Sequence, residues 1–124
     1  MNKKPKLGAI VIGVANIERA KEFYVNVLEI EIDSQDSNYL SAYLGDTHIE
    51  LEEDSPSRFP NWAKYHIGTY KSNEFIVADM NNFLKKVKSH GGKVVSEPIA
   101  RPWGTIGAEI ADPDGNMFMI IQEK

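Results

Sequence analysis

A chain of 124 residues with 42% hydrophobic residues and a formal net charge of −4 has the size of one domain, and folding at this size buries roughly two-thirds of the unfolded surface around a single core. It has no cysteine, which excludes disulfides, thiol nucleophiles and thiolate metal sites and leaves His, Asp, Glu and water to hold any metal. The acidic balance argues against a nucleic-acid partner, and the lack of a long apolar run or a charged-then-apolar leader predicts a soluble, cytoplasmic protein with no membrane contact.

Met1 to Lys6 is polar and basic and is expected to fray, and Leu7 to Val14 is nearly all apolar and reads as a strand buried on both faces. Asn16 is placed to cap a helix over Ile17 to Leu28, where Ile17, Ala20, Phe23, Tyr24, Val27 and Leu28 recur at three- and four-residue spacing and Glu18 sits in the first turn. Three strands follow at about Glu31 to Ser34, Tyr39 to Leu44 and Thr47 to Glu52, the last two joined by a Gly45-Asp46 turn. The last of these alternates, with His48, Glu50 and Glu52 on one face and Ile49 and Leu51 on the other. Asp54 to Tyr65 carries two prolines and two large aromatics, Phe59 and Trp62, and reads as the start of a connector over 54–71. Those aromatics either cover the edge of the core or line a ligand cleft.

The pattern then repeats. Asn73 to Val77 reads as a strand, Asp79 caps a helix with Met80, Phe83, Leu84 and Val87 as its apolar stripe, and His90-Gly91-Gly92 ends it. Val77 follows Val14 by 63 residues (77−14) and Asp79 follows Asn16 by the same interval (79−16). A short strand at Lys93 to Ser96 leads through Pro98 and Pro102 to a final hairpin. In that hairpin Thr105 to Ala111 and the apolar run Met117 to Ile121, read as a buried last strand, flank Asp112-Pro113-Asp114-Gly115, which has turn chemistry at every position. Two βαβββ units, about Leu7 to Glu53 and Ser72 to Lys124, account for nearly the whole chain. The predicted class is α+β, with each unit burying the apolar face of its sheet.

Trp103-Gly104, a strand, Asp112-Pro113-Asp114-Gly115-Asn116 and an apolar strand together resemble the end of a module of the vicinal-oxygen-chelate superfamily, which includes glyoxalase I, extradiol dioxygenases, fosfomycin-resistance enzymes and bleomycin-resistance proteins. Val14-Ala15-Asn16-Ile17 and Phe23-Tyr24 fit the family's strand-to-helix passage, with Asn in place of the usual Asp. The resemblance implies that the two modules pair as a cup-shaped sheet, usually completed by a homodimer.

Metal-dependent relatives place a His or Gln in the first strand of each module and a Glu in the last. Counting five residues back from the valine before each helix cap gives Ala9 and Ser72, and the last-strand positions fall on Glu50 and Met119. Only Glu50 is a hard donor, and one carboxylate does not hold a divalent metal tightly. A displaced set of His48, Glu50 and His66 is the metal-binding alternative; otherwise the histidines serve surface or capping roles. No serine stands in a nucleophile-elbow context and no glycine-rich stretch carries the lysine of a phosphate loop.

What remains resembles the metal-free, bleomycin-resistance-like branch, which binds a small molecule with no cofactor. Trp103, at the matching Trp-Gly corner, is the leading groove aromatic, with Trp62 and Phe59 behind it. Ala9 and Met119 would give the cup an apolar floor. Glu50 in such a cup needs a basic ligand group or an internal partner to offset its desolvation. The expected function is metal-independent binding of a cationic or aromatic, antibiotic-like ligand. A lyase, isomerase or dioxygenase with displaced metal ligands, and an accessory dimer whose cup is filled by side chains, are the alternatives.

Overall fold

The computed structural model describes residues 7–53 and 73–123. The first module runs β1 (Ile10–Val14), α1 (Ile17–Val27), β2 (Glu31–Asp36), β3 (Tyr39–Leu44) and β4 (Thr47–Glu53). The second repeats it as β5 (Asn73–Val77), α2 (Met80–Ser89), β6 (Lys93–Ala100), β7 (Ile106–Ala111) and β8 (Met117–Gln122). Each module makes its own four-stranded sheet, ordered β1-β4-β3-β2 and β5-β8-β7-β6. The first and last strands of each module are parallel neighbours and the remaining pairs are antiparallel. This is an α+β fold of two βαβββ units.

The helices start where the capping residues put them. Asn16 Oδ1 accepts from Arg19 N at 2.8 Å and Asp79 Oδ1 from Asn82 N at 3.0 Å, each satisfying one donor of the exposed first turn. Another such donor is met from the sheet in both modules. Glu53, opposite Val14 in the ladder, accepts from Ile17 N, and Gln122, opposite Val77, accepts from Met80 N. One device thus fixes each helix start to the end of its last strand.

Beyond the helices, Ile12, Val14, Leu40, Ala42, Ile49 and Leu51 of the first sheet and Ala108, Ile110, Phe118 and Ile120 of the second are buried in one continuous core with the stripes of α1 and α2. The DPDGN turn locks the modules together. Asp112 is 2% exposed, and its carboxylate accepts from Tyr24 Oη at 2.7 Å, from Asp114 N at 2.9 Å and from the backbone and side-chain nitrogens of Asn116 at 2.8 Å each. Asn116 also donates to Gly13 O at 2.8 Å, and Arg19 pairs with Asp114. Gly92 is a close-approach glycine, because a Cβ there would lie 2.6 Å from the Phe23 ring.

Three expectations change. The first strand begins at Ile10 and is buried on one face only: Leu7 is exposed, and Val11 is 44% exposed. The last strand likewise alternates, with Phe118 and Ile120 buried and Met117 exposed. The strand expected over Lys93 to Ser96 continues through Pro98 to Ala100. It is an edge strand whose ladder breaks between Ser96 and Ile99, the setting in which a residue without an N–H is tolerated.

Candidate functional site

Strand alternation sends every second residue of the first sheet away from α1. The ladder aligns Tyr39 with Glu52, Ser41 with Glu50 and Tyr43 with His48, and on the other side Val11 with Glu50 and Gly13 with Glu52. The face turned away from the helix therefore carries three tyrosine or serine side chains on β3 beside a histidine and two glutamates on β4. The residues between them, Leu40, Ala42, Ile49 and Leu51, are fully buried under α1.

These side chains interact. Ser41 Oγ and His48 Nε2 are 2.7 Å apart, and the same nitrogen is 3.7 Å from Glu50 Oε2. The His48 ring stacks on Tyr43 at 4.8 Å with an interplanar angle of 14°. Burial first, and then the negative charge of Glu50, push the Tyr39 phenol above its ordinary value, so it remains a hydrogen-bond donor through neutral pH. Glu52 is 4% exposed, while His48 and Glu50 each keep about a quarter of their side chains accessible. The arrangement is a half-open acidic face rimmed by tyrosine rings. It suits a ligand that brings positive charge or donors, since carboxylates accept and tyrosine faces attract cations. With Nε2 shared between Ser41 and Glu50, the geometry differs from a Ser-His-acid relay, in which the acid holds the other ring nitrogen.

The second sheet presents a different surface. The ladders align Val11 with Glu50 in one module and Glu74 with Met119 in the other, so Met119 occupies the station that Glu50 occupies in the first. Beside it lie Ile121 and the exposed Ile76 and Met117. Ala9 immediately precedes β1, half-buried, two residues before Val11 and thus on the Glu50 side of the sheet. Trp103 is 74% exposed at the corner between β6 and β7, on the opposite module from Glu50. Trp62, Phe59, His66 and Ser72 lie outside the described residues. A cleft of about 410 Å³ at the module junction is lined in part by Leu44, Phe75, Phe83, Asp79 and Lys86. Glu50 and His48 are not among its walls, and of its polar groups Asp79 caps α2 and Lys86 pairs with Glu29.

Comparison with known proteins agrees with this architecture. Residues 6–120 match the model of the Glyoxalase/Bleomycin resistance protein/Dioxygenase superfamily. The chain belongs to that superfamily. A lactoylglutathione lyase of Neisseria meningitidis (strain Z2491) is 30% identical over 128 residues, covering 92% of this chain and 88% of that protein. A probable chloroplastic lactoylglutathione lyase of Arabidopsis thaliana is also 30% identical, over 98% of this chain, but the match spans only 37% of the plant protein. Among solved structures, a superfamily enzyme from Burkholderia phytofirmans superposes with a TM-score of 0.79 at 15% identity, covering 94% of this chain and 97% of that one, a likeness of fold.

Superfamily membership raises the question of a metal, and the donor set answers it poorly. Ala9 has no donor, Met119 offers a thioether suited to soft metals, and Glu50 is engaged with His48. Among the described residues no three His, Cys, Asp or Glu side chains converge to hold an ion. The described residues at these stations, Ala9, Glu50 and Met119, do not fit the hard divalent metal of the metal-dependent branches.

Sequence reasoning found Glu50 and its alternation with Glu52 and His48, but passed over Tyr39, Ser41 and Tyr43. The signal was present: with the turn at Gly45-Asp46, hairpin partners sum to 91, which sets 39, 41 and 43 opposite 52, 50 and 48.

Proposed function

We propose that this chain is a metal-independent small-molecule-binding member of the superfamily whose ligand meets the β3–β4 face through a cationic, aromatic-compatible group. The observation that carries the reading is the pairing of Glu50 with Met119 at equivalent register stations: where metal-dependent relatives need a second carboxylate, this chain has an apolar thioether. Glu50 then serves as an acceptor for the ligand's positive group, with Tyr39 donating to Glu50 and the Tyr43 ring flanking. An antibiotic-like organic cation is the compound class in view. We extend the reading to a homodimer, because Val11, Ile76 and Met117 leave an apolar surface on the faces turned from the helices, and a second copy of the chain offers a complementary cup half.

The lactoylglutathione lyase reading is favoured by one fact, the likeness to enzymes of that name over 92% of the chain. It would require donors in place of Ala9, Ser72 and Met119. Fold and family together leave the choice to the site.

Binding of a panel of aromatic cations, followed by tryptophan fluorescence and calorimetry, tests the proposal. Glu50→Gln is expected to weaken the best binder by about tenfold, the loss of one charge-assisted contact, with the fold intact. Unchanged affinity would remove Glu50 from the site.

A further inference from the structure

We infer that Arg101 forms an oxyanion subsite on the second sheet, for a ligand that carries a carboxylate or phosphate-type group. The inference rests on the small-molecule reading above and concerns the other half of the cup.

The strand register builds the subsite. Ile99 pairs with Gly107, and Gly107 with Ile121, so Arg101, two residues beyond Ile99, shares the face of Gly107, Met119 and Ile121. The corner that follows is closed by Arg101 N donating to Thr105 O at 2.8 Å and Gly104 N donating to Arg101 O at 3.0 Å. Gly104 takes a φ of 102°, open to glycine. Arg101 therefore leaves a fixed backbone. Its side chain lies in the place a residue at 107 would fill: a Cβ on Gly107 would stand 3.2 Å from Arg101 Nε and 3.6 Å from Nη2, with Ile121 Cδ1 at 3.5 Å. Gly107 is the seat of the guanidinium.

The charge held there has no counter-ion within the described chain. Arg101 takes part in no ion pair or side-chain hydrogen bond among the described residues. Glu109 shares the face and would be an obvious partner, yet its carboxylate accepts from Ser96 Oγ at 2.6 Å instead. Two further acidic groups share this face and are exposed: Glu74 on the far strand β5, aligned with Met119, and Glu123 just past β8, two residues beyond Ile121; neither forms an ion pair with Arg101. The Thr105 hydroxyl, on the same face, is buried without a partner among the described residues. A guanidinium is permanently charged and planar, and its paired N–H groups match two oxygens of a carboxylate or phosphate. Seated over Gly107 beside Ile121 and exposed to solvent, it is placed for that contact.

The test is a ¹H–¹⁵N NMR titration of the full chain with inorganic phosphate and, separately, acetate, at constant ionic strength set with sodium chloride. A saturable shift of the Arg101 Nε–H and Gly107 amide signals is expected with at least one of the two, and the tighter binder identifies the oxyanion class. Arg101→Gln should weaken that binding about tenfold or more. Gly107→Ala, which fills the guanidinium's seat, should weaken it as well, and Arg101→Lys should retain part of it. Lys88→Gln, which removes an equal charge from the exposed surface of α2, should leave it unchanged. Neither anion giving a saturable shift at Arg101, or equal binding by Arg101→Gln and the unaltered chain, would overturn the subsite. The titration reads Arg101 directly, so an unaltered cation affinity in Glu50→Gln would sink the cationic reading while leaving this one standing.

Discussion

Replacing Tyr24 with Phe tests how the two modules are held together. The hydroxyl donates to the 2%-exposed carboxylate of Asp112 at 2.7 Å, and the ring stands edge-on to Phe23 at 5.2 Å and to Phe118 at 6.2 Å. Tyr24→Phe keeps those ring contacts and removes one of four donors to a buried carboxylate, the others being Asp114 N and the two Asn116 nitrogens. A hydrogen bond to a charged group contributes about 1.5–3 kcal/mol, so a loss of about 2 kcal/mol is expected. Unfolding entropy of about 2.1 cal/mol/K per residue gives about 260 cal/mol/K for this length, which converts that loss to a Tm lower by about 8 °C. Urea and thermal unfolding followed by circular dichroism measure both quantities. A change below about 0.5 kcal/mol would refute the reasoning, because it would mean that the remaining donors satisfy Asp112 without Tyr24.

Two further perturbations follow from the same structure. Burial, and next the charge of Asp112, hold the Tyr24 phenol well above its ordinary value. The unfolded phenol ionises near pH 10, so this contribution is complete below about pH 10 and is lost as pH rises beyond it, at about 1.4 kcal/mol per unit. Urea midpoints should fall less steeply above pH 10 in Tyr24→Phe than in the unaltered chain, and parallel curves would contradict the assignment. Glu29 follows the Leu28 cap of α1 with a φ of 59°, the left-handed position usually given to glycine. Its contact with Lys86 is at the surface and contributes little. Glu29→Gly should stabilise the chain by about 0.5–1 kcal/mol, and a destabilised variant would show that the ion pair outweighs the strain.

How much of this was legible depended on whether the signal was local. Asn16 and Asp79 announced both helix starts because a cap is a one-residue event followed by a 3.6-residue period, and α1 ended within a residue of the expected Leu28. The hairpin turns at Gly45-Asp46 and Asp112 to Gly115 were legible for the same reason. Edges were not: β2 is exposed at every position and β6 runs through a proline, so neither periodicity nor propensity marks where they stop. Whether Val11 faces core or solvent depends on what covers the sheet, which an apolar run does not encode. On the candidate face, the placing of Glu50 was readable from strand alternation, and that of Tyr39, Ser41 and Tyr43 by pairing across a known turn. Arg101 was not, because its seat exists only where Gly107 of a neighbouring strand leaves room.

On the function proposed above, Ala9, Ser72 and Met119 leave this member of the superfamily without a metal centre. Elemental analysis of tag-free protein exposed to Zn, Ni, Mn and Mg and then dialysed tests it most directly. Metal far below one ion per chain is expected, together with no lactoylglutathione lyase activity after loading. Close to one tightly held ion per chain would contradict it, and would turn attention to His48, Glu50 and His66 as the ligands of an enzyme.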